Sequence, residues 1–360
     1  MKKLLTAFLA LSVVLSLAAC GSSEKSASEL SSNAPAPKEE APVSDFDSVE
    51  LSLATSYSTT HAFFPMLQEF ADKVAEATNG DVKIVIYDSN TLCTSADMHN
   101  AVLTGVADMV ETDTAYATSD FPMSTVTYLP TFQALSSKTF TYAFNEFYRQ
   151  DLPEFDGMKI LWAYGMTPFA LQTNKEIKTL DDMKGLQIRA TGAALDSMTA
   201  LGASPIGLPI SETYEAAQKG TVEAICNSFE TLKGWNFAEV VKYGISVKGL
   251  PVGNHYIAMN EDVWNSLPAE YQAAIMEVSD EMVEKASGLF DQIDAEGVEF
   301  GKEQGVVFSQ ISEEEQLRFD AALAPVVDQW IETHTAQGYD AQAMYDYVCE
   351  LVDKYAALHE

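Results

Sequence analysis

Basic side chains are scarce in this sequence. Its 360 residues carry 21 lysines and arginines against 53 aspartates and glutamates, which gives a formal net charge of −32. Proteins that bind nucleic acid displace counterions with clustered lysines and arginines, so this balance argues against a nucleic-acid partner. The negative charge is consistent with an exported protein whose acidic surface keeps it in solution. An anionic ligand would need local positive charge, and the arginines are only three: Arg149, Arg189 and Arg318.

Cysteine and histidine are also few. Apart from Cys20 there are three cysteines, an odd number that cannot all pair within one chain, so the sequence leaves open whether one internal disulfide forms. It contains no CxxC pair or Cys/His cluster, and its five histidines are scattered. We therefore expect neither a structural zinc site nor any other metal or cofactor.

The first 19 residues have the pattern of an export signal: a basic start, a short apolar run and small residues before Cys20. The apolar run, residues 4–19, is too short to span a bilayer comfortably. The letters LAAC resemble the bacterial lipobox, in which the cysteine becomes the lipid-modified first residue; a plain secretory signal is the alternative. We expect lipidation of Cys20 to hold the protein at a membrane surface.

Residues 20–45 are rich in Ser, Ala, Pro and Glu and poor in large apolar side chains. Such a segment buries too little surface to offset the entropy of ordering, so we expect a flexible tether. From residue 46 onward the composition changes, and we expect the folded part to begin there.

Strand and helix patterns alternate after the tether. VELSLAT alternates apolar and polar residues, PMLQEFADKVAEATNG has a helical apolar face and ends at Asn-Gly, and VKIVIY is typical of a strand. Further strand candidates follow as far as VEAI, and long amphipathic helices dominate after residue 267. This order predicts an α/β fold with largely parallel sheets, and about 315 residues favour two lobes over one core.

Familiar catalytic signatures are missing. The sequence has no GxSxG, GxxxxGK[ST], HExxH or post-strand GxGxxG motif. Carboxylates are numerous enough to place an acid/base pair in space by chance. An enzyme is nevertheless the weaker hypothesis, and we expect no catalytic residues.

Arg189 lies in the stretch GLQIRATG, at the predicted carboxyl end of a strand and before a helix-like segment that opens near Thr191. Ligands of open α/β sheets bind in the crevice beyond the strand ends, and a guanidinium matches a carboxylate with two parallel hydrogen bonds. An ion pair with Asp181, Asp182 or Asp196 is an equally good explanation from these residues alone.

The sequence around Arg189 resembles that of the solute-binding proteins of tripartite ATP-independent periplasmic (TRAP) transporters. Their segment "peDlkGlkiR" is similar to KTLDDMKGLQIR, and their later motifs are similar to LGASPIG, ETYEAAQKGTVEA and the asparagine that follows. Weaker matches such as VAEATNGDVKI, AVLTGVADM, YLPTF and MNEDVWNSLPAEYQAAI extend the resemblance over nearly all of residues 48–355.

The resemblance implies a two-lobe, clamshell-like fold. Lobe I would comprise residues 46–166 and 253–295, and lobe II residues 167–252 and 296–360. A long helix after residue 268 would run across both lobes.

The resemblance also implies ligand contacts. In that family the arginine of the GlkiR segment pairs with the ligand carboxylate and a nearby asparagine shares it; Arg189 and Asn227 occupy these positions. Members that bind sialic acid or some dicarboxylates have a second arginine about twenty residues earlier, where this chain has Phe169 or Ala170. That departure favours a monocarboxylate, with an apolar or aromatic body as one form, over a C4-dicarboxylate.

Further residues are candidates for the pocket, and each has an alternative role in packing, capping or solvation. His61 follows the first strand, and the aromatic side chains offer surfaces on which a ring could stack. Glu111 and Asp113, at the end of a predicted strand, could add selectivity through hydrogen bonds or a cation. The remaining candidates are Phe169, Thr191, Tyr214, Phe229 and Trp235.

The sequence thus predicts an extracytoplasmic, lipid-anchored receptor that binds a small organic acid between two lobes, closes over it and docks on the membrane subunits of a TRAP transporter. A receptor that feeds a sensor is the alternative within the binding class. From other classes, an extracytoplasmic hydrolase or isomerase would turn over its ligand, and an adhesion or scaffold module would have no small-molecule site.

Overall fold

The structure is a computed structural model that describes residues 47–132 and 135–360. The predicted signal (1–19), the predicted tether (20–45) and the expected lipidation at Cys20 lie outside the described residues. Among the described residues, no helix has the length and apolar character needed to cross a membrane.

Eleven strands form within the described residues, in two sheets. They are β1 (Val49–Ala54), β2 (Val82–Tyr87), β3 (Met109–Thr112), β4 (Met158–Pro168), β5 (Ala170–Thr173), β6 (Gln187–Ala190), β7 (Ser204–Gly207), β8 (Ala224–Asn227), β9 (Tyr243–Ser246), β10 (Val252–Asn260) and β11 (Val307–Gln310).

Helices cover these sheets. They are α1 (Phe64–Ala77), α2 (Met98–Thr104), α3 (Ser137–Tyr148), α4 (Ala194–Ala200), α5 (Ile210–Gln218), α6 (Thr231–Gly234), α7 (Glu261–Ser266), α8 (Ala269–Ala286), α9 (Leu289–Glu303), α10 (Glu313–Ala336) and α11 (Ala341–His359). Short 3-10 turns join several of them.

The first sheet has the order β2-β1-β3-β10-β4 and forms the centre of lobe I. β1 pairs in parallel with β2 and β3, whereas β10 is antiparallel to β3 and β4. The helix between β1 and β2 buries Leu67, Phe70 and Val74, which its helical period places on one face. Asn79 and Gly80 both have positive φ, so the chain turns there and enters β2.

The second sheet has the order β11-β9-β5-β8-β6-β7 and forms the centre of lobe II. Its middle strands β8 and β6 run parallel, and β5 is antiparallel to β8. The carboxyl ends of β6 and β8 therefore meet at one edge of this sheet, which faces lobe I. The predicted two-lobe α/β fold is confirmed.

Two of the connections between the sheets lie close to each other. β4 ends at Pro168 and β5 begins at Ala170, while the return crossing leads into β10 at Val252. The backbone N–H of Phe169 donates to the carbonyl of Pro251 at 2.8 Å, which ties the crossings to each other.

The helical part differs from the expectation in two ways. The helical pattern after residue 268 forms two helices: α8 ends at Ala286, Ser287 is extended, and Gly288, with φ +80°, precedes α9. The longest helix, α10, connects the lobes: its Phe319 packs in the lobe II core and its Trp330 in the lobe I core.

Helix α11, which the sequence placed with lobe II, packs against α3 beside the first sheet. Its apolar face, with Val348, Leu351 and Val352, joins the core cluster that contains Phe140 and Phe144. An amphipathic period fixes which face of a helix is buried, but it does not specify the surface that covers that face.

A candidate ligand site between the lobes

A cavity lies between the facing edges of the two sheets. It encloses about 30 Å³, space for about two water molecules. Its lining comes from both lobes: Ser56, Tyr57, Asp113, Tyr116, Met166, Phe169, Arg189, Thr191, Ile210, Asn227, Glu230, Trp235, Gly253 and His255.

Arg189 is the cation of this cavity on the lobe II side. It lies on β6 between β7 and β8 and is only 1% exposed. Its Nε donates to the carbonyl oxygen of Leu208 at 3.0 Å. Among the described residues Arg189 forms no ion pair, whereas Arg149 and Arg318 both pair with acidic side chains.

The ion pair that was the alternative explanation for Arg189 does not form. Asp181 instead contacts Arg318 at 3.0 Å, and Asp182 accepts hydrogen bonds from the Thr179 backbone and hydroxyl. A buried guanidinium without a carboxylate partner is costly, so the arrangement around Arg189 is one that an incoming anion would stabilise.

Five other predicted residues reach the same cavity, Asp113 among them. Asn227 lies at the end of β8, so it stands at the same sheet edge as Arg189, and its Oδ1 accepts from the backbone N–H of Ser228 at 2.8 Å. Thr191 follows β6, and the rings of Phe169 and Trp235 supply apolar wall. The structure thus brings these residues to the cavity that Arg189 lines, and their contact with a ligand stays a prediction.

Glu111 lies just behind the cavity rather than on its wall. It is buried and accepts from the hydroxyls of Thr55 at 2.6 Å and Tyr164 at 2.8 Å, and its Oε1 lies 2.6 Å from Nδ1 of His255. Burial alone would raise the pKa of Glu111, but His255, Thr55 and Tyr164 lower it overall. Glu111 therefore positions His255, which does line the cavity.

His255 carries positive charge more readily than an ordinary histidine. Burial disfavours its charged form, yet the neighbouring Glu111, Asp113 and Glu230 raise the pKa of His255 above its usual value. Its Nε2 points toward Asp113, with Oδ2 at 3.9 Å. Burial raises the pKa of Asp113, although His255 opposes the shift, and Oδ1 of Asp113 accepts from the backbone N–H of Ala115.

His61 connects the lobes without being on the cavity wall. Its Nδ1 accepts from the backbone N–H of Phe63 at 3.1 Å, so the ring proton of the neutral imidazole lies on Nε2. Nε2 then donates to Oε2 of Glu230 in lobe II, also at 3.1 Å. The ring stacks on Tyr57, with centroids 4.2 Å apart.

Tyr214 and Phe229 are not brought to the cavity. The hydroxyl of Tyr214 donates to Glu239 at 2.7 Å on the exposed side of α5. Phe229 packs edge-on against Phe308, 5.2 Å away, in the lobe II core. Both side chains fill the packing and surface roles that were their alternatives.

Several lining residues were not predicted. Ser56 and Tyr57 follow β1, and Glu230 comes three residues after Asn227. Their positions just beyond strand ends could have identified them as pocket residues from the sequence. His255 had none, because it lies inside β10, an antiparallel strand from a distant part of the chain. Met166, Ile210 and Gly253 likewise resemble ordinary core positions in sequence.

The cysteines left open by the sequence are all free: Cys93, Cys226 and Cys349. Burial raises the pKa of the Cys226 thiol to about 12, so it remains protonated. Within residues 47–132 and 135–360, no cluster of histidine, cysteine, aspartate or glutamate has the arrangement of a metal site.

Comparison with known proteins gives one consistent picture. The family described as bacterial extracellular solute-binding protein, family 7, matches residues 53–333. The C4-dicarboxylate-binding periplasmic protein of Rhodobacter capsulatus is 23% identical over 276 residues, covering 73% of this chain and 81% of that protein. A TRAP periplasmic solute-binding protein from Desulfovibrio salexigens is 29% identical, with a TM-score of 0.73 over 87% of this chain and 98% of its own.

A further solved structure shares the fold at lower identity. It is a TRAP solute-binding protein from Rhodoferax ferrireducens in complex with copurified benzoate, 22% identical, with a TM-score of 0.81 over 87% of this chain and 100% of its own. The family match spans most of the present chain, both sheets and the cavity between them. The chain therefore belongs to the bacterial extracellular solute-binding protein family 7, the extracytoplasmic solute receptors of TRAP transporters.

Proposed function

We propose that this receptor captures a small monocarboxylate with an apolar or aromatic body and presents it to the membrane subunits of a TRAP transporter. The observation that carries the proposal is Arg189, a guanidinium that is 1% exposed, lines the cavity between the lobes and has no ion-pair partner among the described residues. A carboxylate offers it two parallel hydrogen bonds, and Asn227 shares the anion.

One carboxylate fits this cavity better than two. Arg189 is the single lysine or arginine among the described lining residues, and the lobe I side presents Asp113 and, behind it, Glu111. A second ligand carboxylate would face these acidic groups. Phe169, Met166 and Trp235 provide the apolar surface for the rest of the ligand. The benzoate-bound relative from Rhodoferax ferrireducens is an example of such a ligand in this fold.

Closure couples binding to transport in this proposal. A ligand that contacts Arg189 in lobe II and the Tyr57 region in lobe I binds the closed state more tightly than the open one, so it shifts the population toward closure. The closed form is the one that docks on the membrane subunits. The ligand is released unchanged, without catalytic turnover, and lipidated Cys20 anchors the receptor to the membrane.

A thermal-shift screen tests the function. The purified protein is heated with benzoates, phenylacetates, aliphatic monocarboxylates, C4-dicarboxylates, sulfonates and neutral sugars, because a ligand that binds only the folded state raises the melting temperature. We expect a monocarboxylate to give the largest rise. Stabilisation by neutral sugars alone, or consumption of the bound acid, would contradict the proposal.

A further inference from the structure

The cavity holds more negative charge than a receptor for a simple acid needs. Asp113 and Glu230 both line it, and Glu230 is only 3% exposed. Glu111 stands directly behind His255. Two carboxylates thus line, and a third stands behind, a space in which Arg189 is the one permanent cation among the described lining residues.

The cations of the site are fewer than its carboxylates. His255 pairs with Glu111 through a 2.6 Å contact. His61 is occupied at both ring nitrogens, by the Phe63 backbone N–H at Nδ1 and by Oε2 of Glu230 at Nε2. Arg189 and His255 thus stand against three carboxylates, Glu111, Asp113 and Glu230, an excess of one negative charge. A plain monoanion on Arg189 would add a second one in a buried space, where charges interact more strongly than in water.

Glu230 has an oxygen free for a ligand. Its Oε2 contacts His61, but within the described part of the chain its Oε1 accepts no hydrogen bond. The rings of Tyr57 and Trp235, with centroids 6.3 Å apart, border the same space. Aromatic faces beside carboxylates are a favourable environment for a positively charged nitrogen.

From this arrangement we propose that the ligand is a zwitterion: its carboxylate lies on Arg189, and its positively charged nitrogen lies among Asp113, Glu230 and the rings of Tyr57 and Trp235. The chemical class is that of an amino acid or a betaine with one carboxylate. The inference rests on the proposed function, since it assumes that Arg189 holds the carboxylate. A ligand of this class brings both charges and leaves the net charge of the cavity unchanged.

The test uses matched triplets that share a carbon skeleton. The twenty common L-amino acids and glycine betaine are compared by calorimetry and thermal shift with the corresponding 2-hydroxy acids and with the acids that lack the nitrogen. For at least one skeleton, we expect the nitrogen-bearing member to bind at least tenfold more tightly than its two counterparts. In Glu230→Gln and Asp113→Asn variants this preference should fall at least tenfold, whereas Glu239→Gln, which removes an exposed charge on lobe II, should keep it.

The outcomes separate the two proposals. If hydroxy acids or plain acids bind more tightly than every nitrogen-bearing partner, and Arg189→Lys abolishes that binding, the zwitterion is wrong and the monocarboxylate receptor stands. If the preference for the nitrogen persists in Glu230→Gln and Asp113→Asn, these carboxylates do not recognise it and the inference also fails. If no carboxylate of any kind binds, both proposals fail.

Discussion

His61 of lobe I donates its Nε2 proton to Oε2 of Glu230 in lobe II across 3.1 Å. Both side chains are buried, and the backbone N–H of Phe63 donates to Nδ1 of His61 and so orients the ring. This bond joins the loop after β1 to the turn before α6. It therefore connects the two lobes, and the residues around it limit how closely the lobes approach.

Gly234 is one of those residues. A Cβ at this position would lie 2.6 Å from Nε2 of His61 and 2.7 Å from Oε2 of Glu230. We expect Gly234→Ala to obstruct closure at a cost of about 1–3 kcal/mol, which corresponds to a roughly 5- to 150-fold loss of ligand affinity. Calorimetric titration of the ligand measures this loss of affinity. The matched control is Gly207→Ala, whose Cβ would meet only Leu195 at 3.8 Å; equal effects of both variants would argue against this closure contact.

The Glu111–His255 pair should give a defined pH dependence of stability. The pKa of His255 is raised, so its contribution is complete below its ordinary value of 6.5 and is lost as pH rises through the higher folded value. The pKa of Glu111 is lowered, so its contribution is present above 4.5 and is lost as pH falls through the lower folded value.

We therefore expect His255→Gln to destabilise the protein most between pH 4.5 and 6.5, by roughly 3 kcal/mol, as when one partner of a buried ion pair is removed. The difference in unfolding free energy from the wild type should narrow on both sides of this window. Denaturant titrations at a series of pH values measure it, and a difference independent of pH would mean that the pair is not ionised.

Asp294 should make stability depend on pH in the direction opposite to Glu111. It accepts from the backbone N–H of Glu230 at 3.0 Å, and burial raises its pKa to about 7. The folded state then keeps a proton that the unfolded state loses above pH 3.8, so stability falls from there to about pH 7 and is constant beyond.

Asp294→Asn keeps the accepting oxygen but cannot ionise. We expect it to match the wild type near pH 3.5, and to become more stable than the wild type, by up to about 4 kcal/mol, at pH 7 and above. Thermal unfolding at several pH values gives the comparison. A variant that is less stable than the wild type at pH 8 would show that the charged carboxylate is needed there.

The placement of Arg189 and Asn227 at one edge of the sheet could be predicted from sequence because it depends on local strand order. Arg189 ends a short strand and Asn227 ends a parallel neighbour, and parallel strands bring their carboxyl ends to one edge. The departure at Phe169, an aromatic where some relatives have arginine, was also visible in the sequence and corresponds to an apolar wall of the cavity.

The lobe I side of the cavity, with Glu111 and His255, was much harder to predict because distant parts of the chain form it. Glu111 and His255 are separated by 144 residues and meet only because β10 returns antiparallel beside β3. No pattern in the sequence specifies that pairing. The same limit applies to α11, whose apolar face was evident while its packing partner, α3, was not.

The central claim is that Arg189 holds the ligand carboxylate, and isothermal titration of the best-stabilising acid into wild type, Arg189→Lys and Arg318→Lys tests it most directly. Lysine keeps the positive charge but lacks the planar fork, so we expect Arg189→Lys to weaken binding at least tenfold. Arg318→Lys, the same change at an exposed ion pair with Asp181, should bind like wild type. Unchanged affinity in a folded Arg189→Lys protein would contradict the account.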